Sequence, residues 1–157
     1  MFHVGDKVVY PMHGAGVIDG IEEKEIFGKR QTYYLMHLPV GELSVMIPTE
    51  TTGVALREIS SADEAERVLE ELPQVELCED GNWNKRYRDN MSRLKNGALE
   101  DVAAVVKSLL ERDRERSLST SERKMLVSAR QILVSEIVLA TGESREQVET
   151  KIEESIA

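Results

Sequence analysis

The spacing of apolar residues changes near position 60, and this change restricts the chain to two kinds of structure in series. Before it, apolar and polar residues alternate in short runs broken by glycine and proline, the period of a half-buried strand. After it, apolar residues recur three and four positions apart, the period of an amphipathic helix. The expected fold is α+β in two domains, a small β domain over 1–59 and a helical domain over 60–157. The length, 157 residues, suits one ordinary domain or two small ones.

In the first part Lys7–Tyr10 reads as a short strand, and 11–16 as a turn in which Gly14 and Gly16 can take positive φ. Over 16–26 the alternation sets Val17, Asp19, Ile21 and Glu23 on one face and Ile18, Gly20, Glu22 and Lys24 on the other. That strand is too polar for the centre of a sheet. It suits a long, curved, half-exposed position, with Gly20 marking a bulge. Turns at 27–29 and 39–42 bracket a β-rich run over 31–38. Leu43 to Ile47 then alternates until Pro48 stops it, and 54–57 reads as a last short strand. Short strands joined by tight turns predict a small curved antiparallel sheet or barrel of the SH3 or Tudor kind.

In the second part Ser61 and Glu64 form a capping box ahead of the stripe Ala65, Val68, Leu69 and Leu72, and Pro73 ends that helix. An acidic connector covers 73–81. A helix over about 83–95 carries Tyr87, Met91 and Leu94 and stops at Asn96-Gly97. Leu99, Val102, Val105, Val106, Leu109 and Leu110 predict a strongly amphipathic third helix. Ser119 and Glu122 open a fourth through about residue 140, which Gly142 breaks. Val148, Ile152 and Ile156 mark a short final one. The second domain is thus a bundle of about five helices.

Charge narrows the function. The formal net charge of −9 argues against tight, free, non-specific DNA binding. Its distribution is uneven, since residues 59–82 carry −7 while residues 83–130 carry 12 Lys and Arg against 7 Asp and Glu. Cys78, the single cysteine, rules out an internal disulfide and lies in an acidic stretch that disfavours a thiolate. No signal peptide and no run of the roughly 18–20 apolar residues of a membrane span is evident, so a cytoplasmic protein is expected. His3, His13 and His37 stand at no metal-ligand spacing. Gly14-Ala15-Gly16 precedes a strand and lacks the third glycine of a phosphate loop. The expectation is a protein that is not an enzyme and uses no cofactor or metal.

Trp83, the single tryptophan, opens the basic interval beside Lys85, Arg86 and Arg88. On a helical wheel the stripe Tyr87, Met91 and Leu94 is flanked by cations on both sides, with Arg86 and Arg93 on one solvated arc and Lys85 and Arg88 on the other. Trp83 falls at the edge of the stripe, compatible with partial burial. Two readings stay open: an aromatic wedge for nucleic acid, or a core anchor, the commoner fate of a lone tryptophan. A second basic group is Arg112, Arg114, Arg116, Arg123 and Lys124. Arg114 and Arg116 have Glu111, Asp113 and Glu115 as nearby partners. Arg123 and Lys124 sit in the first turn of a helix, where the dipole disfavours cations, so something other than helix stability accounts for them.

Residues 4–14, Val-Gly-Asp-Lys-Val-Val-Tyr-Pro-Met-His-Gly, resemble the opening of the CarD/CdnL transcription regulators of bacteria. So do 82–87, Leu118-Ser119 and 122–133, in the same order and at similar spacing. The β part also resembles the RNA-polymerase-interacting domain of the transcription-repair coupling factor. The resemblance implies that a Tudor-like domain docks on the outer lobe of the RNA polymerase β subunit, through Leu43–Pro48 and the hairpin near Lys24. The polymerase-binding residues would be Lys24, Val45, Met46, Ile47 and Pro48. It implies that the helical domain meets promoter DNA at the upstream edge of the −10 element. There Trp83 would enter the minor groove as a wedge at the edge of the melted bubble, with phosphate contacts from Lys85, Arg86, Arg88, Arg123 and Lys124. Relatives carry an arginine where this chain has Met46, so the polymerase interface here is expected to be weaker or differently paired. The bound form is expected to be a monomer. The runner-up reading is an acidic protein–protein adaptor with Trp83 in the core and no direct DNA contact.

Overall fold

The computed structural model describes residues 2–50, 56–75 and 82–156. Cys78 and the Val54-Ala55 start of the last expected strand lie outside these residues, as does most of the acidic connector. The first part is a five-stranded antiparallel sheet of order β4-β3-β2-β1-β5. Its strands are β1 Lys7–Tyr10, β2 Gly14–Ile26, β3 Lys29–Leu38, β4 Leu43–Pro48 and β5 Arg57–Glu58. β4 and β5 are its edges. Val8, Ile18, Tyr34, Met36, Leu38 and Ile47 form its core.

Two details differ from the alternation read in the sequence. β2 begins at Gly14 rather than Gly16, because Gly14, Ala15 and Gly16 pair with Tyr10, Val9 and Val8. Only glycine fits at 16, where an added Cβ would collide with the His37 carbonyl oxygen. The expected bulge is present: Ile18 pairs with Met36 and Gly20 with Leu35, leaving Asp19 as the extra residue. A bulge reverses the parity of the strand beyond it. Ile18 and Ile21, expected on opposite faces, therefore both pack on the sheet core. At the far end Phe27 (φ 53) and Gly28 (φ 76) close a two-residue turn of the kind that needs positive φ at both positions.

The second part is a bundle of α1 Ala62–Glu71, α2 Trp83–Asn96, α3 Leu99–Glu115, α4 Thr120–Thr141 and α5 Arg145–Ile156. Their ends obey the sequence signals. Ser61 and Ser119 accept from the Glu64 and Glu122 amides, and Asn82 from the Asn84 amide. Gly97 and Gly142 close α2 and α4 in the left-handed conformation, at φ 76 and 77. Pro73 sits inside a 3-10 turn, Leu72–Gln74, which carries the chain beyond α1. α3 is more buried than its apolar stripe predicts, for Ala103, Ala104, Lys107 and Ser108 are buried as well. It is the central helix, packed by α4, α2, α1 and α5. The ammonium of buried Lys107 donates to the Pro73 carbonyl at 2.9 Å and to that of Val75, tying down the segment after the 3-10 turn.

The sheet and the bundle meet along α4, which packs on β2. The buried Ala15 amide donates to Ser135 Oγ at 2.9 Å. Met12, at the β1–β2 turn, packs against the bundle core. Arg57 of β5 reaches Glu136 of α4, and Lys7 Nζ donates to the Leu139 carbonyl at 3.1 Å.

Candidate nucleic-acid and polymerase interfaces

Trp83 is the first residue of α2, placed by the Asn82 cap. Its indole stacks on Tyr87 one turn later, with ring centroids 5.3 Å apart and planes 20° apart. Its Nε1–H donates to Glu122 Oε1 at 3.1 Å. The side chain is nevertheless 40% exposed. The ring is anchored at one edge and on one face and open elsewhere.

The anchor belongs to a charged cluster where the starts of α2 and α4 meet the end of α3. Glu122 is buried as the third residue of α4, and its Oε1 also accepts from the Ser119 hydroxyl at 3.2 Å. Its Oε2 receives Arg86 Nε at 3.4 Å and lies 3.9 Å from Arg112 Nε. Each carboxylate oxygen thus has two partners, which is what a buried anion needs to offset its desolvation.

Arg86 therefore departs from the sequence reading. It does not lie on a solvated arc. It is 5% exposed and turned into the bundle onto Glu122, so it is not presented to a phosphate. The buried line of α2 runs Arg86, Asn90, Leu94, with Tyr87 and Met91 only partly buried beside it. The wheel centred that face on apolar residues and could not foresee a polar pair inside it. Lys85, Arg88, Arg123 and Lys124 are all exposed. Arg123 Nε donates to the Leu118 carbonyl at 3.2 Å, which holds its base against the helix start. Of the remaining second group, Arg112 turns to Glu122, and Arg114 donates to the Ile156 carbonyl at 2.7 Å. The fold thus gathers Trp83 and four exposed cations around the starts of two adjacent helices. Among the described residues no three His, Cys, Asp or Glu side chains are placed to hold a metal.

At the sheet, Lys24 and Met46 are exposed, and Val45 and Pro48 are half-buried. Ile47 is a correction: its side chain is 2% exposed in the sheet core and offers a partner only backbone. Pro48 pairs with Tyr33, Tyr33 with Glu22, and Lys24 with Gln31 two pairs further toward the hairpin tip. Val45 and Met46 pair with Met36 and Leu35 in the other half of β3, so the set runs along the sheet rather than clustering at one end. Glu122 is the residue that sequence reasoning catches only in part. Its amide role as a capping partner is legible, whereas its carboxylate role needs side chains 36 and 39 residues away.

The family model for the CarD-like/TRCF RID domain matches residues 2–60, and that for the CarD C-terminal domain matches residues 67–153. The chain belongs to the CarD/CdnL family. A Bacillus subtilis relative, the putative transcription factor YdeB, is 34% identical over 151 residues, covering 96% of this chain and 99% of the relative. Membership of the CarD family brings transcription regulation, a Tudor-like first domain and interaction with RNA polymerase in general.

Proposed function

We propose that this CarD family member docks through β4 on the outer lobe of the RNA polymerase β subunit. There it stabilises the promoter open complex, with Trp83 as a wedge at the upstream edge of the −10 region. The observation that carries this reading is Trp83, 40% exposed at a helix start and tethered at Nε1, with exposed Lys85 and Arg88 in the first turns of α2 and exposed Arg123 and Lys124 in the first turn of α4. A ring held this way can enter between bases without first losing its own freedom, and the exposed cations of α2 and α4 are available to the flanking phosphates. The adaptor alternative needs Trp83 in the core, and its exposure removes that premise.

Docking through β4 is supported by its position at the sheet edge, where strand addition uses the backbone and alternate side chains. Met46 is 39% exposed on that strand. The acidic balance fits the scheme. Non-specific DNA binding lies at about 10⁻⁴–10⁻⁶ M even for basic proteins, so this chain needs polymerase to bring it to DNA. Once docked, it sees the promoter at an effective concentration of order millimolar.

The test is the lifetime of the open complex with wild type and with Trp83→Ala. Stacking of one aromatic side chain is worth about 1–3 kcal/mol, so the lifetime should fall about ten- to a hundredfold. An unchanged lifetime, with the variant folded and bound to polymerase, would refute the wedge.

A further inference from the structure

The geometry points to Glu122 as the residue that positions Trp83, through a buried carboxylate shared with Arg86, Arg112 and Ser119. This rests on the proposed wedge function and extends it to how the indole is aimed and what it can read. Trp83 Nε1–H is the only polar group of the ring, and it is committed inward to Glu122 Oε1. One ring face is committed to Tyr87. What remains for a partner is the opposite face and the outer edge, all of it π-surface and carbon.

The tryptophan therefore donates no hydrogen bond to a base. It acts by stacking and has no means of reading a base edge. The ring is also oriented before any DNA arrives, so little rotamer freedom is lost on insertion. Glu122 is itself fixed by two guanidinium groups and the Ser119 hydroxyl, so its carboxylate cannot swing away without leaving buried Arg86 unpaired. Arg86 thus serves the interface from inside the bundle rather than at a phosphate.

The single tryptophan makes the experiment direct. In wild type the lone indole N–H resonance should exchange with solvent much more slowly than that of free tryptophan, and fluorescence anisotropy should show no fast local rotation. In Glu122→Leu, which leaves the indole N–H no acceptor there, a fast anisotropy component should appear, and the open-complex lifetime should fall toward that of Trp83→Ala. The double variant should lose no more than Trp83→Ala alone, which a merely destabilising substitution would not reproduce. An indole N–H exchanging at the free rate in wild type overturns the proposal, and this arm requires no variant to fold. So does a folded Glu122→Leu with wild-type anisotropy. If Trp83→Ala leaves the lifetime unchanged while the two indole measurements behave as expected, the wedge function fails and the positioning of the ring by Glu122 stands.

Discussion

Arg57 and Glu136 join the sheet to the bundle through a two-point ion pair, Nη2–Oε1 at 2.5 Å and Nη1–Oε2 at 2.8 Å. Glu136 is almost wholly buried, and its Oε2 also accepts from the Ser60 amide and hydroxyl, at 3.0 and 2.7 Å. Arg57 in turn donates twice to the Gly97 carbonyl, at the end of α2. The two halves are held by contacts that water reaches poorly.

Arg57→Ala should therefore cost about 3 kcal/mol, the low end for breaking a buried pair, because Arg57 itself keeps some solvent. In denaturant, Trp83 fluorescence tracks the bundle and the amide resonances of β1 to β4 track the sheet. The two transitions should coincide in wild type and separate in the variant.

Gly16→Ala should destabilise the sheet by about 2 kcal/mol or more, since the new Cβ meets cross-strand backbone that has nowhere to move. Gly28→Ala, in open space at φ 76, should cost only about 1 kcal/mol, the conformational penalty alone. Melting temperatures of the two variants measured side by side check the contrast.

The helix limits are legible in the sequence because caps are local chemistry: Ser61, Ser119, Gly97 and Gly142 each act on a backbone group within a few residues. The parity of β2 after Asp19 is not, because where the extra residue sits depends on pairing with β3. Nor is the burial of Arg86, because an isolated wheel assigns a cation to water. Only a carboxylate supplied by another helix, Glu122, reverses that preference. Trp83 lies between these cases. Its position at a helix start is legible, and its exposure is set by Tyr87 and Glu122.

Replacing Arg123 and Lys124 together by serine should leave stability within about 0.5 kcal/mol, as both are exposed. If both meet phosphates, the salt dependence of the polymerase-bound protein's hold on the promoter should flatten by about one to two units of log–log slope. Open-complex lifetimes at several salt concentrations measure this, and an unchanged slope would remove both residues from the DNA contact.

Met46→Arg, which adds a cation at an exposed position of β4, should, if β4 is the dock, tighten binding to the polymerase at low salt and lose that gain as salt rises. Met46→Asp should weaken it. Binding isotherms at two ionic strengths decide the matter, and equal affinities for the three proteins would place the dock elsewhere than β4.

α4 carries Glu122 in its first turn and Ser135 and Glu136 in its last third. At about 1.5 Å per residue, roughly 20 Å of unbroken helix separates the indole's tether from the seam with the sheet. The helix therefore works as a ruler. If β4 is the docked edge, its partner fixes, through one stiff rod, how far away and at what rotation the indole stands. Lengthening α4 by a single residue between tether and seam would advance its far end by only about 1.5 Å but turn it by about 100°, swinging the tryptophan's tether out of phase with the sheet. The distance between the indole and the seam is thus written in the length of one helix, and the direction in its phase.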